Sequence, residues 1–273
     1  MVGCFLHFQS AVKKALIQGA FFIACFNLQP AAANTACPEF IDSKSARIAY
    51  IHDGDTVHLS DKRKVRLIGI DTPELARRRG KQQLPEQAFA SIARDFARQL
   101  LKQQGSKVKL MPGIEAKDKY GRHLFHIQLA DGSLLQTRLI EAGLAVAFTT
   151  PPNQRFSQCY LQTEQQARQL QQGFWTDPKY QVIESTQLTA SHSGFGRVRG
   201  RVSHIGESKK AWWINFGQHF AARIHKSDLQ YFNQPLQHLI GKRVIIKGWL
   251  RRYKDKHQMS LRHASAIEIL STN

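Results

Sequence analysis

Residues 53–74 read DGDTVHLSDKRKVRLIGIDTPE, and their pattern gives the first indication of the fold. The apolar–polar alternation at residues 57–59 and the apolar run at residues 65–70 each predict a β-strand. The polar residues 61–64 between them predict a hairpin connection. Arg66 stands inside the second strand, where an unpaired buried charge would cost free energy. An arginine at that position is therefore hard to explain as a neutral part of the strand.

Strand and helix patterns continue on both sides of this stretch. A strand-like segment precedes it, and apolar residues at helical spacing follow Pro85 and Glu86. Further strands and helices are expected at residues 108–110, 124–127, 134–142 and 157–172. Short strands with helices between and after them predict a small five-stranded barrel of the OB type in a mainly β chain.

A second group of strand patterns follows the polar residues 177–190, which we interpret as a linker. Its strands are expected at residues 196–202, 211–216, 220–224, 243–250 and 266–270. About five strands with few helices predict a second small, OB-like barrel. The predicted domains are therefore residues 37–176 and residues 191–273.

The charge of the chain is strongly positive. Among 273 residues, 39 Lys and Arg stand against 20 Asp and Glu, which gives a net charge of +19. Residues 190–273 alone contain 15 Lys and Arg against 4 Asp and Glu, more than half of the excess. Such a charge indicates a polyanionic partner, which could be nucleic acid, anionic lipid or acidic glycan. No long uncharged apolar run occurs beyond the N-terminus, which excludes a polytopic membrane protein.

The N-terminal 36 residues have the pattern of a secretory signal peptide. A basic pair, Lys13-Lys14, precedes a short apolar core and a zone of small residues. Cleavage is expected after Ala33 or Ala36, which would place the mature protein in the periplasm or outside the cell. The alternatives are a lipoprotein signal and a buried N-terminal helix. Lipidation is disfavoured because Phe22 and Asn34 are poor residues three places before a cysteine.

Removal of residues 1–36 leaves Cys37 and Cys159 as the two cysteines of the mature chain. In an exported protein, two cysteines favour a disulfide over a metal site. We therefore predict a Cys37–Cys159 bond that ties the N-terminal arm to a later helix, with two unrelated thiols as the alternative.

Three short stretches contain the residues needed for phosphodiester chemistry. Asp55 and Asp71 offer hard oxygen ligands, and with a backbone carbonyl beside Pro73 they suit Ca²⁺. Glu74 could hold or deprotonate a water molecule of the metal shell. Planar guanidiniums that match phosphate oxygens are present at residues 66 and 122. Each stretch alone could be an ordinary turn, but together they suit hydrolysis of a phosphodiester.

The chain resembles the staphylococcal nuclease family over about residues 45–176. The resemblance rests on Asp53-Gly54-Asp55-Thr56, on residues 66–74, on Asp118-Lys119-Tyr120-Gly121-Arg122 and on residues 141–145. It implies an OB barrel with helices and a Ca²⁺-dependent nuclease of DNA and RNA. In that family, cleavage breaks the bond to the 5′ oxygen and leaves 3′-phosphates.

Residue by residue, the resemblance implies a complete hydrolytic set. Asp55 and Asp71 correspond to the calcium ligands, together with the backbone carbonyl of Thr72. Glu74 corresponds to the general base or water-positioning residue. The phosphate-binding arginines are Arg66 and Arg122, and the residues expected to contact a terminal nucleotide phosphate are Lys119 and Tyr120.

Two features depart from or add to the family pattern. The family often has tyrosines where this chain has Phe148, which could stack on a base but has no hydroxyl group. The basic residues 77–81 follow Glu74 closely, and we interpret them as a flexible loop that steers the strand, or as a merely solvated basic loop.

In the second domain, aromatic residues alternate with cations, a pattern that suits single-stranded nucleic acid. The aromatic residues are Trp212, Trp213, Phe216, Trp249 and Tyr253. The alternative is that they fill the barrel core.

The functional hypothesis is an exported nuclease that acts as a monomer and contacts no membrane beyond its signal peptide. Its rivals are an inactive nucleic-acid-binding module of the same fold and a surface adhesin for anionic glycan or lipid.

Overall fold

The structure, a computed structural model, describes residues 37–80 and 82–271. These residues belong to one compact unit. The predicted signal peptide lies outside the described residues. Within the described part of the chain, no helix has the length and apolar character needed to cross a membrane.

The first domain is a barrel with three helices and two additional short strand pairs. Its elements in chain order are β1 (Lys44–Ile51), β2 (Thr56–Leu59), β3 (Lys64–Leu67), β4 (Ile70–Asp71), β5 (Arg77–Arg79), β6 (Gln82–Leu84), α1 (Ala90–Gln104), β7 (Lys107–Lys117), β8 (His123–Gln128), α2 (Leu135–Glu141), β9 (Val146–Ala147) and α3 (Ser157–Gln169). The closed barrel has the order β1-β2-β3-β8-β7, in which only β3 and β8 pair in parallel. The predicted OB barrel is confirmed.

Two boundaries differ from the sequence prediction for local backbone reasons. The apolar run 65–70 is split into β3 and β4 because Gly69 has φ +81°, and a Cβ there would lie 2.6 Å from the Tyr160 ring. The first helix begins at Ala90 rather than at Pro85, because Phe89 has a left-handed backbone and β6 extends to Leu84.

The predicted disulfide is confirmed. Cys37 is bonded to Cys159 with a Cα–Cα distance of 5.1 Å, within the usual range for a disulfide. Cys159 lies near the start of α3, so the bond fastens the N-terminal arm to that helix.

The second domain is also predominantly β. Its strands are β10 (Val182–Glu184), β11 (Gly194–Arg201), β12 (His204–Glu207), β13 (Ala211–Phe216), β14 (Phe220–His225), β15 (Arg243–Tyr253), β16 (Lys256–Leu261) and β17 (Ile267–Ile269). The sheet order is β10-β11-β15-β16-β14-β13-β12, and β17 pairs with β15. Strands β10, β12 and β16 were missing from the sequence prediction.

The second sheet follows the strand order of the first barrel. Only Val202 and Ser203 separate β11 from β12, so the two strands act as the halves of one bent strand. One half pairs with β15 and the other with β13, and the parallel pair is β14 with β16. In the first barrel, β1 is likewise shared between β7 and β2 around an irregularity at residues 48–50. This order supports the predicted OB-like character of the second domain.

The segment that we interpreted as a linker is regular over much of its length. It contains a 3-10 helix at Pro178–Tyr180, strand β10 and a second 3-10 helix at Ser185–Gln187. Strand β10 pairs in parallel with β11, so this segment is part of the second sheet.

Candidate active site

Two aspartates, one from the turn before β2 and one from β4, converge on one arginine. Arg66 lies on β3 opposite Thr56, so its side chain is near Asp55, which immediately precedes β2. The guanidinium forms an ion pair with Asp55 through Nη1 and another with Asp71 through Nη2, the latter at 2.5 Å. Asp55 is fully buried, and the side chains of Arg66 and Asp71 are 18% and 13% exposed. The structure therefore brings together three residues that the sequence predicted to share a site.

Thr72 holds Asp55 from the other side. Its backbone N–H and its hydroxyl group both donate to Asp55 Oδ2, at 2.9 and 3.0 Å. The approach requires glycine at position 54, since a Cβ there would lie 2.8 Å from the Thr72 side chain. The turn at residues 53–56 and the segment that begins at Asp71 are therefore in direct contact.

The site contains more negative than positive charge. Burial raises the pKa of Asp53 to about 7, and the neighbouring carboxylate of Asp55 adds to this effect. Burial raises the pKa of Asp71 to about 6, against the opposing effect of Arg66. Burial works against the charge of Arg66, but the flanking carboxylates raise its pKa. Three carboxyl groups thus lie beside the one Arg66 guanidinium, and a bound cation would favour the ionised form of the two whose pKa is raised.

The second predicted arginine joins the same cluster through a hydroxyl group. Arg122 Nη1 lies 3.4 Å from Thr56 Oγ1, which in turn donates to Asp55 Oδ1 at 3.2 Å. Arg122 is oriented by Asp118, which accepts from its Nε at 2.7 Å. Burial opposes ionisation of Asp118, but hydrogen bonds from Arg122 lower its pKa. The two guanidiniums are therefore linked to the same oxygen of Asp55, Oδ1, directly from Arg66 and through Thr56 from Arg122.

Lys119 and Tyr120 lie at the exposed edge of this cluster. The Tyr120 ring is 73% exposed, and the cationic groups of Lys119 and Arg122 lie 5.0 and 5.7 Å from its centre. This arrangement presents two cations and an aromatic face to the solvent next to Arg122. It is the type of surface that a nucleotide phosphate and base could approach.

Glu74 is half-buried and already has a cationic partner. Its Oε1 lies 3.0 Å from Arg77 Nη1, and its backbone exchanges hydrogen bonds with Gln87. Arg77 belongs to the short hairpin of β5 and β6. The basic segment predicted as a flexible loop at residues 77–81 is therefore in part a strand, and it is linked to the predicted general base.

Phe148 is held against the interior more than the sequence indicated. Its backbone N–H donates to Gly69 O at 2.9 Å, and its half-buried ring packs against a buried cluster that includes Phe174 and Trp175. A small cavity beside it is also lined by the second-domain residues Lys247 and Arg262. Phe148 therefore lies where the two domains meet.

The donor set can be tested for calcium on its chemistry. Over residues 37–80 and 82–271, no three His, Cys, Asp or Glu side chains are arranged to hold a metal ion. The predicted set has two such side chains, Asp55 and Asp71, and a backbone carbonyl at Thr72. Both carboxylates are directed at the Arg66 guanidinium, and a third carboxyl group, that of Asp53, accepts from the backbone N–H of Asp55. This set suits a hard cation that also keeps several water ligands.

Comparisons with known proteins match the first barrel. A family model described as "Staphylococcal nuclease homologue" matches residues 64–177. The thermonuclease of Staphylococcus intermedius is 34% identical over 139 residues, which cover 50% of this chain and 78% of that protein. The thermonuclease of Staphylococcus hyicus is 30% identical with the same coverage. Endonuclease YhcR of Bacillus subtilis is 27% identical over 169 residues, 59% of this chain and 14% of that protein.

The chain belongs to the staphylococcal nuclease family. The resemblance inferred from the motifs is confirmed, and the nuclease names of the relatives support a phosphodiester hydrolase. The residues matched by the family model include Arg66, Asp71, Glu74 and Arg122.

One contact to this nuclease site was missed by the sequence analysis. The indole Nε1 of Trp249, on β15 of the second domain, donates to Asp71 Oδ2 at 3.1 Å. We had expected Trp249 to stack on nucleic acid or to fill the second core, and the structure places it between the domains instead. The available signal was the position of Lys247 and Trp249 at alternate places in an apolar strand, which resembles the signal given by Arg66.

Proposed function

We propose that the chain is an exported Ca²⁺-dependent nuclease that hydrolyses phosphodiester bonds of DNA and RNA. One observation carries the proposal: Asp55 and Asp71 converge on Arg66, and Arg122 joins the same cluster through Thr56. Acidic oxygens for a hard cation and two guanidiniums for a phosphate group are thus within one site.

Asp55, Asp71 and the backbone carbonyl of Thr72 would hold the ion. Calcium bound there would supply positive charge that favours a nearby water as a nucleophile and offsets the charge of the phosphate group. Thr72 fixes the orientation of Asp55 through two hydrogen bonds, so the carboxylate does not need to reorganise when the ion binds.

The remaining residues act on the phosphodiester and on the attacking water. Arg66 and Arg122 donate N–H groups to the non-bridging oxygens, where negative charge increases in the transition state. Glu74 orients the water and accepts its proton as the new oxygen–phosphorus bond forms. The bond from phosphorus to the 5′ oxygen breaks, and that oxygen takes a proton from solvent. The products are a 3′-phosphate and a 5′-hydroxyl group.

Substrate binding is assigned to the exposed surface beside Arg122. Lys119 and Tyr120 contact the phosphate of a terminal nucleotide, and Phe148, which is half-buried where the two domains meet, offers a base only the exposed edge of its ring. The second domain, with its net charge of +11 over residues 190–273, adds attraction for the nucleic-acid backbone. The enzyme acts as a monomer, with residues 1–36 as a cleaved export signal and the Cys37–Cys159 bond suited to an oxidising compartment.

A digest of linear DNA, circular DNA and RNA tests this function, with calcium and with EDTA. We expect cleavage of all three substrates with calcium and loss of cleavage in EDTA. The products should carry 3′-phosphate groups, which a phosphatase removes. Glu74→Gln should remove most of the activity, whereas Glu115→Gln, at an exposed glutamate of the same barrel, should not.

The rival functions predict different outcomes of the same experiment. DNA binding without cleavage at any calcium concentration would support the inactive binding module. Binding to heparin or anionic vesicles that Asp71→Ala leaves intact, without cleavage, would support the adhesin. Undiminished cleavage in EDTA would contradict the calcium mechanism.

A further inference from the structure

The outer face of β15 is directed at the nuclease barrel. Along this strand, Ile246, Gly248 and Leu250 face the core of the second domain. Lys247 and Trp249 alternate with them and therefore lie on the opposite face. Their side chains are only partly exposed, because they pack against the first domain.

Trp249 and Arg66 bind different oxygens of one carboxylate. Asp71 Oδ1 accepts from Arg66 Nη2 at 2.5 Å, and Asp71 Oδ2 accepts from Trp249 Nε1 at 3.1 Å. Two donors from two domains fix both the position and the rotation of this carboxylate. Hydrogen bonds to a charged group are stronger than those between neutral groups, particularly where water is largely excluded.

Lys247 supports the same strand pair from the side of helix α3. Its ammonium group donates to both oxygens of Glu164, at 2.8 and 2.9 Å, and Glu164 has no exposed surface. Glu164 Oε2 also accepts from the backbone N–H of Ala147 at 2.7 Å. Ala147 belongs to β9, which pairs with β4, the strand that contains Asp71. Lys247 is therefore connected to the backbone of Asp71 through one carboxylate and one strand pair.

An apolar cluster and an ion pair also hold the second domain against the first. Phe195 of β11 joins a buried apolar cluster with residues of the first domain and the segment that follows it, which include Phe174, Trp175 and Tyr180. Glu268 of β17 forms an ion pair with Arg168 of α3 at 3.2 Å. Both β11 and β17 pair with β15, so these contacts hold the strand of Trp249 against the first domain.

We propose that the second domain completes the nuclease site, with Trp249 as a positioning residue for the calcium ligand Asp71. The inference rests on the proposed function, since it concerns the affinity of the same site for calcium. Trp249 acts through Asp71 by holding one oxygen in the orientation that the ion requires. The second domain thus has a role in the reaction beyond attraction of the substrate.

The test compares Trp249→Phe with the full-length wild-type chain. Phenylalanine keeps an aromatic ring in the interface but cannot donate to Asp71. We expect calcium affinity, measured by isothermal titration calorimetry, to fall about 10-fold, which is about 1.4 kcal/mol. Trp213→Phe is the matched control, because the indole of Trp213 donates to Ser208 within its own domain, and it should leave calcium affinity unchanged.

Two further measurements separate positioning from a merely structural role. Excess calcium should restore the kcat of Trp249→Phe, because the ion itself then orients Asp71. A double-mutant cycle of Trp249→Phe with Asp71→Asn, followed by thermal unfolding in EDTA, should show a coupling between the two residues. Equal calcium affinity in Trp249→Phe and wild type, or a coupling of zero, would overturn the inference while the nuclease function stands. A wild-type chain that neither binds calcium nor cleaves nucleic acid would instead refute the function itself.

Discussion

In the first barrel, the third strand β3 carries Arg66 opposite Thr56 of β2. In the sheet of the second domain, the corresponding strand β14 carries Arg223 opposite Trp213 of β13. The residue before Thr56 is the buried Asp55, whereas the residue before Trp213 is Trp212, which packs against the apolar core. The shared strand order places an arginine at the same topological position twice. Arg66 meets Asp55, beside its cross-strand partner, and Asp71 on β4, whereas the residue beside the cross-strand partner of Arg223 carries an indole.

Substitution of the two arginines in turn should separate the two domains most clearly. Arg66→Lys keeps the charge but loses the planar fork, so we expect kcat/KM to fall about 10³-fold, close to 4 kcal/mol of transition-state stabilisation. Arg223→Ala is the matched control, and its kcat/KM should change less than threefold. Similar losses in both variants would show that the two positions are not functionally distinct.

The contact between the barrels provides the next largest effect. Glu164→Gln leaves Lys247 buried opposite a neutral amide, and breaking a buried ion pair in this way should cost about 3 kcal/mol of unfolding free energy. Urea denaturation at neutral pH measures the change. Glu207→Gln, which breaks an exposed pair with Lys226 inside the second barrel, should cost less than about 1 kcal/mol.

If both variants unfold at the same urea concentration, the ion pair between Glu164 and Lys247 does not stabilise the contact. A loss confined to Glu164→Gln would show that the buried pair stabilises the two-barrel unit.

The covalent link distinguishes the barrels as well, because the second domain contains no cysteine. The double variant Cys37→Ser, Cys159→Ser removes a cross-link between residues that are 122 positions apart in the sequence. It should lower the unfolding free energy by about 2 kcal/mol. Hydrogen exchange should show the loss of protection mainly in α3 and the N-terminal arm. Equal loss of protection in β13 and β14 would contradict a local role for the bond.

The smallest expected effect is a difference in acid sensitivity. Burial lowers the pKa of His126 to about 3, with Arg155 contributing, and its ring lies 2.8 Å from the Tyr160 hydroxyl group. Below about pH 6.5, the unfolded chain therefore binds a proton at His126 that the folded chain does not bind. The free energy of unfolding consequently decreases as the pH falls. His126→Gln should remove up to about 1.4 kcal/mol of this loss per pH unit between pH 6.5 and 5.

His204→Gln, at an exposed histidine of the second domain, is the control and should keep the wild-type pH dependence. Comparison of each variant with wild type subtracts the other titrating groups. An unchanged pH slope in His126→Gln would mean that this histidine does not titrate on unfolding as its burial indicates.

Much of the first barrel and its site could be predicted because the information is local. Asp55, Arg66 and Asp71 lie within a segment of 17 residues, in which a glycine, an alternation of apolar residues and a hairpin mark the turns and strands. The predicted convergence of these side chains follows from the pairing of adjacent strands, which short turns largely determine.

Contacts between distant strands could not be predicted in the same way. Trp249 and Asp71 are 178 residues apart, and nothing in an isolated strand pattern indicates which outer face meets another domain. Strand β16 was missed although His257, Met259 and Leu261 alternate with polar residues, because a buried histidine weakens the apolar pattern. The partner of Glu74 was missed because β5 and β6 are too short to give a clear strand signal.

The buried carboxylate of Glu164 on α3 affects the choice of boundaries for any shorter fragment of this chain. The family match ends at residue 177, which looks like a natural place for a stop codon. A fragment that ends there would expose Glu164 and remove its partner Lys247. It would also expose Phe174 and Trp175 to water. The end of the homologous region is therefore not the end of a separable domain, because residues on both sides of it share one buried cluster.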